Sequence, residues 1–455
     1  MAETLVSVGL DVGTTSTQMI VSELRIENRA SSFAVPDMEI TQRDIRYKSP
    51  VHFTPLLDES HVDGQKLRQL VEWEYAAAGI TRADVDTGAV IITGETSRKE
   101  NARAVLSVLS DLAGDFVVAT AGPDLESALA ARGAGAVAYS EQTGKPVLHM
   151  DIGGGTSNLA LIENGKIIAT GCLNVGGRLI KFDENGRIYY VSPVLDELCK
   201  LKTGDVATPE TLKDVALLLT QALEMAAGLR APTQLLEKLT TREVTAHRFP
   251  TGKAQVLSFS GGVADCIGQD IPWQKFGDMG PILGRTIRDS LLCRDDYRLG
   301  EETIRATVIG AGCHSAQLSG STVFYRNVGF PMKSLPAVAL EENAQFNGQL
   351  IRAALFRQEG DAVVLALPGI RSPRYEQIGA MADAIVAGFE SRPVAVALER
   401  DMAKALGHAL ALRLPRDRQI LCIDNVRLSG DSYLDVGAPV GPALPIVVKT
   451  LILSN

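Results

Sequence analysis

Two acid-led loops of glycine and threonine carry the clearest chemistry in this sequence. Asp11-Val12-Gly13-Thr14-Thr15-Ser16 and Asp151-Ile152-Gly153-Gly154-Gly155-Thr156-Ser157 stand about 140 residues apart. Each joins one carboxylate to small residues whose backbone N–H groups and hydroxyls can converge on an anion. A charge-assisted hydrogen bond contributes roughly 1.5–3 kcal/mol, so a few suffice for micromolar binding of a polyphosphate. The carboxylates are the odd part. Two like charges about 6 Å apart at an effective dielectric of about 20 repel by on the order of 3 kcal/mol. A divalent cation between carboxylate and phosphate, hydrated Mg²⁺ by preference, removes the conflict.

The flanks say how the loops are held. Leu5–Leu10 and Thr17–Val21 read as strands around the first loop, Val147–Met150 and Leu159–Ile162 as strands around the second. Asn164-Gly165 then signals a two-residue hairpin before Lys166–Ala169. One such loop is equally well an ordinary glycine-rich hairpin; two with matching flanks, both led by Asp, favour a phosphate grip from two sides. Val256–Ser260 reads as a buried strand ending in Gly261-Gly262, where a flat base could lie against bare backbone. The small-residue stretches Glu126–Tyr139 and Ala306 towards Gly320 suit close packing of helix on helix, although Ala306–Ile309 is itself strand-like. Ala89–Ile92 and Phe116–Ala119 are further strands, and Ser97 with Glu100 forms a capping box for a helix to about Asp111. A helix over Thr208–Ala227 carries Pro209 in its first turn. Beyond Pro331, strands at Ala362–Leu367, Val394–Leu398 and Gln419–Ile423 alternate with helices at Tyr375–Phe389 and Arg400–Leu412. The class is α/β.

The order of these parts, from Val6 to about Gly320, resembles the actin, sugar kinase and Hsp70 ATPase superfamily. That resemblance implies a two-lobed actin-like (ribonuclease H-like) core with an appended C-terminal α/β unit. The expected division is 1–145 for the first lobe, 146–305 for the second, 306–332 for a return helix and 333–455 for the C-terminal unit. It also implies ATP and Mg²⁺ as cofactors. Asp11 and Asp151 would be indirect ligands of the cation or orienters of the attacking water. Gly13, Thr14, Thr15, Gly153, Gly154, Gly155 and Thr156 would hold the β- and γ-phosphates, and Gly261 and Gly262 would back the adenosine. Glu126 stands near where such hydrolases carry a general base, without their Glu-Pro pattern; a helix-start acid stabilised by the macrodipole is the competing reading.

Four motifs sharpen the likeness: the run from Asp11 to Gln18, Thr93–Ala102, the run from Asp151 to Asn158, and Asn174-Val175-Gly176-Gly177-Arg178. With the tail segment Asp431–Gly437 they resemble the family of ethanolamine ammonia-lyase reactivating proteins (EutA) over nearly the whole chain. The family implies a chaperone-like ATPase that releases damaged cobalamin from the lyase so that intact adenosylcobalamin can enter, in the cytoplasm or a bacterial microcompartment. Ethanolamine ammonia-lyase is then the expected partner, with a homodimer left open.

Bulk properties narrow the field. The chain has 455 residues, 45% hydrophobic and 22% charged, enough for two or three globular domains. A net charge of −9 argues against nucleic acid as a main partner. No apolar run approaches the ~20 residues of a membrane span. Met1 directly before the first strand leaves no room for a secretory signal. Six scattered cysteines without a Cys-x-x-Cys pair read as thiols in a reducing compartment.

Other motifs fail on inspection. Gly133–Ala138 matches a dinucleotide fingerprint but follows an alanine-rich helical stretch instead of a strand. Thr251-Gly252-Lys253-Ala254 lacks the first glycine and the hydroxyl of a Walker loop. Glu59-Ser60-His61-Val62-Asp63-Gly64 nearly spells a cobalamin motif, with Glu in place of the leading Asp. His149 and His314 lie in apolar or small-residue contexts and read as structural. Three rivals share the loops or their fold: a small-molecule kinase of the superfamily, an actin-like filament scaffold, and an iron–sulfur dehydratase activator built on Cys172/Cys199 or Cys266/Cys293.

Overall fold

The computed structural model describes residues 3–13, 16–28, 38–57, 61–92, 117–120, 123–241, 256–314, 317–319, 322–340, 346–356, 362–428 and 432–450. β1 (Glu3–Val12) and β2 (Ser16–Asn28) form an antiparallel hairpin with β3 (Met38–Lys48) on its outer side. The short β4 (His52–Phe53) pairs with the start of β2, and helix α1 (Gly64–Ala78) follows. β5 (Thr87–Ile92) runs parallel to β1, and β6 (Val117–Thr120) parallel to β5. After α2 (Pro123–Gly133) and α3 (Ala136–Thr143) the pattern repeats. β7 (Val147–Ile152) and β8 (Ser157–Glu163) form the second hairpin, with β9 (Lys166–Leu173) outside it. A ribbon of β10 (Ile180–Phe182) and β11 (Ile188–Val191), then α4 (Pro209–Ala226) and α5 (Gln234–Leu239), lead to β12 (Val256–Ser260), parallel to β7. α6 (Gly262–Gly268) and α7 (Gly280–Arg288) precede β13 (Tyr297–Leu299), parallel to β12. The two sheets, β3-β2-β1-β5-β6 and β9-β8-β7-β12-β13, have one topology used twice.

Local sequence accounts for these elements. β5 and β7 are buried at every position, so their mostly apolar residues lack the alternation of a half-exposed strand. Between β8 and β9, Asn164 and Gly165 take φ of 49° and 74°, the two left-handed residues of a tight hairpin turn. In α4 Thr208 caps the N-terminus, Pro209 follows, and Leu212, Val215, Ala216, Leu219 and Leu223 line the buried stripe.

Two helices cross between the sheets. α2 packs on β7, β8 and β9, while α8 (Ala306–His314) returns to β1, β2 and β5. The strand-like run Ala306–Ile309 is thus the first turn of α8, because burial between a sheet and a helix outweighs the β preference of Val308 and Ile309. Glycine sets the approach. A Cβ on Gly133 would lie 1.9 Å from the Ala306 carbonyl oxygen, and one on Gly310 would lie 2.1 Å from that of Leu129. One on Gly9 of β1 would meet the Val308 oxygen at 2.6 Å.

The appended unit is a third sheet. β14 (Gln317–Leu318), β15 (Phe324–Arg326) and β16 (Met332–Ala339) are followed by α9 (Gly348–Leu355), β17 (Val364–Leu367), α10 (Tyr375–Phe389), β18 (Val394–Leu398), α11 (Ala403–Ala411) and β19 (Ile420–Ile423). β20 (Ser432–Val436) and β21 (Pro445–Thr450) complete the order β14-β21-β20-β16-β17-β18-β19-β15. Its helices cover one face through Ile351, Ile385, Phe389 and Leu406, and Val426, Leu434 and Leu444 close the other. The whole is the expected α/β class, a doubled core with a C-terminal α/β unit. The helix expected over Ser97–Asp111 and the Thr251–Ala254 segment lie outside the described residues.

Enlarging Gly310 drives a side chain into the α2 backbone. Gly310→Val is expected to destabilise the protein by about 1–3 kcal/mol or more, read as a lowered Tm in thermal unfolding. An unchanged Tm would show that the helices can separate without loss.

Candidate functional site

The two predicted loops are built alike. Gly13 N–H donates to the Ser16 carbonyl and Gly153 N–H to the Thr156 carbonyl, each at 2.9 Å. These two donors therefore close their own turns. Thr14 and Thr15 lie outside the described residues. The first loop is braced by Thr54, whose hydroxyl donates to the Gly13 carbonyl at 2.7 Å. The second is braced by the Asn174–Arg178 segment: Gly177 N–H donates to the Gly153 oxygen at 3.0 Å and Arg178 N–H to the Gly154 oxygen at 2.6 Å. A Cβ on Gly176 would sit 2.3 Å from that Gly154 oxygen, so only glycine permits this brace. Arg178 lies along Gly154 and is held by the buried Asp278 at 3.3 Å, which places a cation at the second loop. Gly261 (φ 85°) presses its bare backbone on Ile152, where a Cβ would meet the carbonyl oxygen at 2.3 Å; the space over Gly262 is open.

Glu126 lies within electrostatic reach of both loop carboxylates. Burial pushes Glu126 well above the usual carboxylate range, and the charges of Asp151 and then Asp11 push it further, against a hydrogen bond from Asn158. Burial likewise pushes Asp151 up to about 6, opposed by hydrogen bonds from Ser260 and Thr307. Asp11, Glu126 and Asp151, picked from three separate stretches of sequence, thus share one site. Gly261 touches it through the backbone of Ile152.

Whether a hydrated cation fits can be judged from two buried amides. Gln18 is the cross-strand partner of Asp11, and Asn158 that of Asp151. Gln18 Nε2 donates to the Ile304 carbonyl at 3.2 Å and Asn158 donates to Glu126, yet Gln18 Oε1 and Asn158 Oδ1 are buried acceptors without a donor. Such orphaned acceptors are costly unless O–H or N–H groups reach them. Water molecules carried by a cation supply those donors, and the cation supplies the charge the carboxylates lack. Among the described residues no three His, Cys, Asp or Glu side chains gather closely enough to ligate a metal directly. The residues fit an ion held through its waters.

The family model described as "Ethanolamine utilisation protein EutA" matches residues 3–454. The chain belongs to the EutA family. It is 38% identical over 473 residues to the ethanolamine ammonia-lyase reactivase EutA of Salmonella typhimurium (strain LT2), covering 98% of each chain. It is also 38% identical over 464 residues to the protein of that name from Escherichia coli (strain K12), again with 98% of each covered. Among solved structures, a Ppx/GppA family member from Aquifex aeolicus overlaps 68% of this chain and 97% of its own, with 14% identity and a TM-score of 0.43.

In this EutA chain several site residues escaped the motif search. The amides were signalled, since Gln18 and Asn158 both fall seven positions after their Asp. Thr307 and Thr54 had no such signal, because only the fold brings them to the loops. Of the near-cobalamin motif, Glu59 and Ser60 lie outside the described residues, and the His61 carbonyl accepts a backbone hydrogen bond from Leu57 at 3.0 Å. The six cysteines are free thiols, four of them buried. Among the described residues no helix is long and apolar enough to cross a membrane.

The raised Asp151 sets a sign for stability. Folding favours its protonated form, so its contribution is full below the ordinary value of 3.8 and lost as pH rises through about 6. Without nucleotide or Mg²⁺, Asp151→Asn is expected to gain up to about 3 kcal/mol over the native protein near neutral pH, and nothing near pH 4. Tm curves for the two proteins that run parallel across this range would contradict the burial argument.

Proposed function

We propose that the protein is an ATP-dependent reactivating factor that releases damaged cobalamin from adenosylcobalamin-dependent ethanolamine ammonia-lyase so that intact cofactor can bind. The single observation that carries the nucleotide half is the mirrored pair of hairpins whose Asp11 and Asp151 converge with Glu126. The lyase half rests on EutA membership and on the reactivase names of the two relatives. In this reading the lobes are 1–145 and 146–305 and the C-terminal unit is 333–455; the segment 306–332, expected as a return helix, is helical among the described residues only over Ala306–His314, and its β14 and β15 belong to the third sheet. The protein acts in the cytoplasm or a microcompartment.

ATP would lie across both loops. Gly13, Thr14, Thr15, Gly153, Gly154, Gly155 and Thr156 hold its β- and γ-phosphates, with Arg178 adding charge beside Gly154. Gly261 and Gly262 back the adenosine. Asp11 and Asp151, with Gln18 Oε1 and Asn158 Oδ1, would hold Mg²⁺ through its waters. When bound, the cation would offset charge on the transferring phosphoryl group. Glu126 is more basic than an ordinary carboxylate, which suits it to take a proton from the attacking water. Asn158, hydrogen-bonded to Glu126, fixes its orientation. Nothing in the site favours a second, alcohol-binding reading over hydrolysis.

The test is ATP-dependent recovery of cobalamin-inactivated lyase. Asp11→Ala and Asp151→Ala are expected to slow it by about a hundredfold, with matching loss of ATP hydrolysis. Undiminished rescue by either variant would eliminate this mechanism.

A further inference from the structure

One face of the second sheet carries a polar ladder where apolar side chains are expected. β7 and β12 pair in register, His149 beside Ser258 and Asp151 beside Ser260. Strand alternation puts these four on a single face, opposite the core residues Met150, Ile152 and Phe259. All are buried, His149 and Ser260 completely. Ser258 Oγ lies 3.1 Å from His149 Nδ1, His149 Nε2 lies 2.9 Å from Ser260 Oγ, and Ser260 donates to Asp151 Oδ1.

The direction of this chain follows from proton counting. A carboxylate only accepts, so the one Ser260 proton goes to Asp151. Ser260 Oγ must then accept from Nε2–H, which leaves Nδ1 bare to accept from the Ser258 hydroxyl. Every donor points towards Asp151, and in a buried chain each bond polarises the next.

We propose that Ser260 and His149 are positioning residues for Asp151, locking the carboxylate in the orientation from which it serves the phosphate site. The proposal rests on the role given to Asp151 above. It gives His149, which the sequence reads as structural, a part in the site without contact to a ligand.

The experiment measures steady-state ATP hydrolysis and thermal unfolding for the full chain and four variants. Ser260→Ala is expected to lower kcat about tenfold, the loss of one hydrogen bond to a charged group, with KM for ATP within about twofold. His149→Leu, which keeps the packing but not the donor, should lower kcat severalfold. His149→Gln, which can present an N–H at the Nε2 position, should restore most of it at similar Tm. Unchanged kcat in both Ser260→Ala and His149→Leu overturns the proposal, as does a His149→Gln loss equal to that of His149→Leu. Asp151→Asn separates the two claims. If Asp151→Asn loses turnover while Ser260→Ala keeps it, only the positioning role falls. If Asp151→Asn keeps turnover, or the native protein has none, the reading of the site falls as well.

Discussion

Carboxylates gathered in buried or half-buried positions around Glu126 oppose the fold that gathers them. Glu126 is raised by burial and by Asp151 and Asp11 together, and Asp151 by burial. Hydrogen bonds from Ser260, Thr307 and Asn158 offset part of that penalty but add no positive charge. A protein under no functional demand would replace such a cluster with apolar side chains, which pack without desolvation cost. The cluster makes physical sense when a cation and its waters complete it, with the orphaned oxygens of Gln18 and Asn158 as further acceptors. Carboxylate repulsion and unsatisfied amides are two separate faults with one remedy.

The gathering itself depends on glycine. Glu126 reaches the site because α2 leaves the first segment of chain and packs on the second sheet, while α8 leaves the second segment and packs on the first. The crossing brings backbone against backbone at Gly133 and Gly310, and α8 against β1 at Gly9. The brace behind the second loop uses the same device, with Gly176 against Gly154. Here glycine is required for close approach and not for a left-handed turn.

How much of this could be read from the sequence depends on the range of the interaction. The hairpins were legible because a local pattern, apolar run then acid then glycine then apolar run, specifies them without reference to the rest of the chain. Asn164-Gly165 was legible for the same reason, since both residues tolerate positive φ. The capped α4 and the helix α10 follow from signals within a few residues. Ala306–Ile309 carried two local signals, a strand-like run and a small-residue helix, and packing between α2 and the first sheet decides for the expected helix. The partners of His149 were out of range in another way. Its neighbours are apolar, but its partners Ser258 and Ser260 lie more than a hundred positions away and meet it through strand register.

A switch needs two states that a ligand can tell apart. Each loop belongs to a different sheet, and the sheets meet at the α2–α8 crossing, so a phosphate gripped by both loops ties the sheets together. Moving a partner from roughly 1:99 to 99:1 takes about 5.5 kcal/mol of discrimination between the states. Two or three charge-assisted bonds to a terminal phosphate, at roughly 1.5–3 kcal/mol each, reach that figure.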